Sequence, residues 1–112
     1  MATFAQIGAA TLSSAFELRV RVACFVVAQQ VRDEAKDTPN HAARLTLANQ
    51  LVTEGSEARQ RQFLWAVAAA PAIADTVKTD TDPTKVRVDA TDEQIQTAVA
   101  ASWDAIAGWG QY

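Results

Sequence analysis

Hydrolysis and group transfer call for a positioned nucleophile, a base and a group that stabilises developing charge. The chain offers few candidates for these roles: one histidine, His41, and one cysteine, Cys24. His41 is expected in the first turn of a helix, where the positive end of the helix dipole disfavours its protonated form. It reads as a surface residue or a local capping partner rather than a base. Cys24 stands inside the apolar run Val22 to Ala28, where burial raises a thiol pKa and makes it inert. One His and one Cys do not make a four-ligand zinc site within one chain, and a single Cys forms no intrachain disulfide.

The carboxylates are more numerous. Asp75, Asp80, Asp82 and Asp89 lie in one stretch and suit a hard cation in charge, but the central Gly and closing Glu of a calcium loop are missing. They read as residues that keep a loop soluble. Asp33-Glu34 and Asp92-Glu93 are adjacent pairs, which diverge around a helix axis instead of converging on a substrate. Four glycines leave little material for a phosphate-binding loop. The expectation is a protein that is not an enzyme and needs neither cofactor nor metal.

The elements that carry these residues are marked by helix-start signals. A hydroxyl residue followed three positions later by Glu or Gln satisfies the free amides of a first turn reciprocally. Thr3 with Gln6, Ser14 with Glu17, and Thr91 with Gln94 have that spacing. Thr38-Pro39 offers a cap with proline at the first helical position, and Gly55-Ser56 closes one helix and caps the next. Helices are therefore expected near 4–12, 15–36, 39–54, 57–70 and 92–107. With 112 residues, 49% of them hydrophobic, the chain supports one modest core. The fold expected is a single all-α domain over 1–112, a compact bundle of four to five helices. Residues 71–90 would form a long loop or β-hairpin arm, and 108–112 an aromatic C-terminal tail. Alanine supplies much of the apolar content, so the helices can approach closely while large core residues are scarce, a shortage that oligomerisation often offsets.

Partner classes narrow further. A net charge of −3 and a pI near 5.0 provide no basic field for nucleic acid or anionic lipid. The longest apolar run is far too short to cross a bilayer. No basic stretch leads into an apolar region and cleavage site at the N-terminus, so synthesis in the cytoplasm is expected.

Protein surfaces remain. Wound at about 100° per residue, Glu17 to Lys36 carries two apolar faces: Leu18, Val22, Phe25 and Val26 on one, and Val20, Ala23, Val27 and Val31 on the other. Such a helix is either the centre of the bundle or a bridge between its own core and a neighbour. In the fourth helix Trp65 points away from the core stripe of Phe63, Leu64 and Val67, toward the side of Arg61, an arginine–tryptophan pair at stacking distance along a helix. The last helix docks on the core through Ile95, Ala98, Val99, Ser102 and Ile106, with Trp103 at the border of the stripe. Trp109 and Tyr112 follow on a glycine-loosened tail, placed either in a groove of another chain or back over the same bundle. Candidate interface residues are Arg61, Trp65, Trp103, Trp109 and Tyr112, with Val77, Val86 and Val88 on the arm.

Two stretches carry a resemblance. Asn40-His41-Ala42-Ala43-Arg44-Leu45 leading to Ala48, and Asp92-Glu93-Gln94-Ile95-Gln96 leading to Ser102-Trp103-Asp104-Ala105-Ile106-Ala107-Gly108, resemble short all-helical virion proteins of tailed phages, in particular head-to-tail connector (adaptor) proteins. The resemblance implies a homo-oligomeric ring, a dodecamer, beneath the portal protein, joined to tail or neck proteins and located in the virion. It implies no membrane partner and no sequence-specific binding of nucleic acid. A capsid-associated cement protein and a small helical regulator with one cellular partner are the alternatives.

Overall fold

The computed structural model describes residues 11–51, 57–79, 81 and 85–108. In chain order the elements are β1 (Thr11–Leu12), α1 (Ser14–Arg32), α2 (His41–Asn49), α3 (Glu57–Ala69), α4 (Pro71–Ala74), β2 (Val77–Thr79), β3 (Lys85–Val88) and α5 (Asp92–Gly108). The all-α bundle with a hairpin between its last two long helices is the architecture observed. The hairpin belongs to a three-stranded sheet ordered β1-β3-β2.

The cap of α1 is Ser13, one residue before the expected Ser14. Ser13 is extended, and its Oγ accepts the N–H of Phe16 at 3.2 Å. This register turns Phe16 inward, 1% exposed, and places it on one face with Val20, Ala23, Val27 and Val31. Burial of an aromatic ring thus sets the start, and Glu17 still lies in the first turn, where its charge complements the dipole. The helix stops at Arg32, four residues short of the expected end.

Pro39 does not open α2. Thr38 and His41 close a tight turn, with the His41 N–H donating to the Thr38 carbonyl at 3.1 Å. Pro39 and Asn40 are its central residues, and Asn40 has φ 60°, ψ 25°. Pro then Asn, the latter in the left-handed region, is the chemistry of a type II turn. It prevails over the equally legible cap-then-proline signal, so the helix begins at His41, two residues later than expected.

α5 starts as its sequence predicts. Thr91 N–H donates to Gln94 Oε1 at 2.9 Å, and Gln94 N–H donates to Thr91 Oγ1 at 3.2 Å. Arg19 anchors this end from α1, donating to Asp92 Oδ1 at 2.8 Å and to the Ala90 carbonyl at 2.5 Å. Thr91→Ala removes one half of the reciprocal cap and strands the other; a loss of about 1 kcal/mol in urea unfolding is expected.

The β-hairpin expected within Pro71 to Ala90 forms, and its described residues are joined to the body of the protein through α4 and through the buried valines of β2 and β3. Ala70 is extended, as a residue before proline prefers, and Pro71 then opens the single turn of α4, which buries Ile73 completely. Thr76 closes that turn with its Oγ1 donating to the Ile73 carbonyl at 2.7 Å. β2 and β3 pair antiparallel, Val77 opposite Val88, and exposure alternates along β3. β1 adds in parallel on the other edge, Thr11 opposite Lys85 and Leu12 opposite Val86. Residues 11 and 12 are therefore strand where helix was expected. The remainder of that expected helix, with the Thr3 and Gln6 signal, and the Gly55-Ser56 boundary lie outside the described residues.

α5 is the central helix, packing against α1, α2, α3 and α4. Trp103 is fully buried there, edge-on to Phe63 of α3 with ring centroids 5.5 Å apart, and its Nε1 donates to the Arg44 carbonyl of α2 at 3.1 Å.

Candidate protein interface

α1 is amphipathic in an unusual sense. Its inner face is closed by α5 and α2, with a smaller contact to α3, while Leu18 (64% exposed), Val22 (56%) and Phe25 (56%) form a row on its outer face. Their spacing of four and then three residues keeps them on one stripe along two turns. Val26, half-buried, forms the inner edge of this ridge, and Arg21 adjoins it as an exposed donor. Scattered exposed apolar side chains are ordinary on protein surfaces, whereas an aligned row is the usual mark of an interaction surface. Full burial of the three would be worth about 3 kcal/mol. Of the two expected roles for this helix, the central one is therefore taken by α5, and α1 presents its second face outward.

A second apolar feature lies where α3 meets α5. Trp65, Ala66, Ala69, Ala101 and Ala105 line an open groove of about 540 Å³, with Pro71 at one end. Alanines at successive turns of both helices create it, because each leaves the space that a longer side chain would fill. Gln62 lies in the same wall, and its Oε1 is buried without a hydrogen-bond partner among the described residues. A buried acceptor left in this state costs about 1–3 kcal/mol.

The residues proposed from sequence for an interface separate into three groups. Trp65 is half-buried, packed on the core and facing the groove, and Arg61 is exposed one turn earlier. Trp103, Val77, Val86 and Val88 are corrected: at 0%, 2%, 3% and 6% exposure they fill the protein's own core and offer no surface to a partner. The alternation of β3 explains the valines, since a three-stranded sheet on a helical core must turn one face inward. Trp109 and Tyr112 lie outside the described residues. The groove was not anticipated; the recurrence of Ala66, Ala69, Ala101 and Ala105 is the signal that marks it.

The principal charge cluster joins elements. Arg44 grips Glu34 with two bonds, Nη2 to Oε1 at 2.5 Å and Nε to Oε2 at 3.0 Å, and its Nη1 pairs with Asp104 of α5. This clasp fastens the turn after α1 to α2 and to the central helix. The Arg44 hydrogen bonds to the ionised form hold the Glu34 carboxyl below its ordinary value near 4.5; partial burial opposes this, while the charges of Arg44 and His41 reinforce it. A depressed carboxyl contributes stability that is complete above the unfolded value and is lost as pH falls through the folded one. The melting temperature of the native protein should therefore exceed that of Glu34→Gln by a constant margin above about pH 5, and the margin should shrink as the pH falls below the ordinary carboxyl value near 4.5. A margin that widens on acidification would contradict the clasp.

His41 is half-buried, and its Nδ1 is buried without a hydrogen-bond partner among the described residues. Burial pushes the Cys24 thiol up to about 12. Asp89 pairs with Lys78 across the hairpin at 3.5 Å, and Asp75 is exposed. Asp80 and Asp82 are outside the described residues. Among the described residues no group of three or more His, Cys, Asp or Glu side chains is placed to hold a metal ion, and no helix is long and apolar enough to cross a membrane. Comparison with known proteins matches no family model, no curated protein and no solved structure.

Proposed function

We propose that the chain is a structural subunit of a larger protein assembly, a head-to-tail adaptor that forms a ring under the portal of a tailed phage and joins capsid to tail. The observation that carries the reading is the row Leu18, Val22 and Phe25, large and exposed on a helix whose opposite face is fully used by the core. A subunit destined for a ring must keep apolar surface uncovered until its neighbours arrive, and a rigid helix braced on a central core is a suitable place to keep it. The resemblance of Asn40–Ala48 and Asp92–Gly108 to connector proteins supplies the type of assembly. Negative-stain imaging with light scattering tests it. A ring of fixed copy number supports the adaptor reading, and copies distributed over a capsid lattice would support a cement protein instead. A monomer or dimer with a single cellular partner would support a regulator.

A further inference from the structure

We infer that the α3–α5 groove is the seat of this chain's own Trp109, a contact within one subunit that holds whether or not the chain assembles.

Position points to it first. Ala101, Ser102, Ala105 and Ile106 form the α5 side of the groove, and α5 keeps its helical course through Gly108. Trp109, outside the described residues, follows at once, four positions after Ala105 and three after Ile106. Side chains at these spacings share one face of a helix. A long side chain there leans toward the N-terminus and covers the turn before its own Cα. An indole carried one residue past Gly108 therefore lies over Ala105 and Ile106, at the mouth of the groove.

Reach agrees with position. Residues 109–112 span at most about 14 Å fully extended, and the α5 side of the groove, from Ala101 to Ile106, is about 8 Å long at the helical rise. Trp109 gets there without any unwinding of α5.

Size and chemistry agree as well. An open groove of about 540 Å³ suits one large side chain better than a whole helix. An indole brings about 150–250 Å² of surface to bury. The walls are Trp65 and alanines, with no charged side chain among the lining residues. Trp109-Gly110-Gln111-Tyr112 carries no charged side chain either, so seating the indole desolvates no ionised side chain. Among the described residues nothing covers Ala101 and Ala105, which are exposed. Trp109 is then a closing piece of its own subunit, and the α1 ridge is the apolar surface that remains for a partner.

Fluorine NMR on the full chain labelled with fluorotryptophan tests the contact. Of the three tryptophan signals, the one lost in Trp109→Phe belongs to this residue. Its change between light and heavy water should be a small fraction of that of free fluorotryptophan, and the same at every dilution. Ala105→Glu and, independently, Ala101→Glu place a carboxylate in the groove from exposed positions, so each should fold and give the Trp109 signal the full solvent response. Ala100→Glu, exposed on the same helix but off the groove, should leave the signal protected. A fully solvent-sensitive Trp109 signal in the parent chain overturns the inference. Protection that neither groove variant releases also overturns it, by placing the indole elsewhere. Protection that fades on dilution overturns it too, because the occupant is then the same segment of a second copy.

Discussion

Trp103→Ala should cost the protein about 3–5 kcal/mol in urea unfolding, the loss expected for deleting a large buried aromatic. Domains of this kind have only about 5–15 kcal/mol in total, so the variant should be largely unfolded or close to it at physiological temperature. The size of the effect follows from three roles held by one side chain: it fills the centre of the core, meets Phe63 edge-on, and donates Nε1 to the Arg44 carbonyl. Trp103→Phe separates them. It keeps a ring beside Phe63 and loses the donor, so a smaller loss of about 1–3 kcal/mol is expected for the stranded carbonyl and the reduced volume. If Trp103→Ala changed stability by less than about 1 kcal/mol, the placement of this residue at the core would be wrong.

Phe25→Asp should have the opposite profile. The side chain lies outside the core at 56% exposure, so folding stability should change by no more than about 0.5 kcal/mol. Association should instead be abolished, because a carboxylate enters the centre of the apolar row and must be desolvated whenever that row is covered. Circular dichroism melts and light scattering on the same sample distinguish the two effects. A variant that unfolds would show the outer face of α1 to be structural, and a variant that assembles like the parent would remove Phe25 from any interface. Paired with Trp103→Ala, it separates residues that hold the fold from residues kept for a partner.

Local signals and global packing contributed unequally to what could be read in advance. The two faces of α1 were legible because helical periodicity is a property of consecutive residues; which face would meet the core was not, since that depends on where α5 packs. The start of α5 was legible for the same reason, its cap being made by Thr91 and Gln94 alone. Ser13 was missed because the choice between adjacent serines is made by Phe16 seeking the interior. At Pro39-Asn40 two local rules competed, and the positive φ of Asn40 shows that the turn prevailed. β1 was illegible in principle: two residues carry no periodicity, and their pairing partners, Lys85 and Val86, lie in a distant part of the chain. The valines of β3 alternate visibly in the sequence, but whether their apolar face turns toward this core or toward another chain is a tertiary fact. The groove was hidden because it consists of what the alanines leave empty, and its clearest chemical mark, the unpartnered Gln62 oxygen, exists only once α3 and α5 are side by side.

On the proposed function, the outer face of α1 is kept apolar for another subunit. Sedimentation velocity over a wide range of protein concentration tests it most directly, with the parent chain and Phe25→Asp run side by side. The expected result is a parent boundary that moves to a discrete, ring-sized species as concentration rises while the variant stays monomeric. Identical monomeric boundaries for both proteins up to the limit of solubility would contradict the claim.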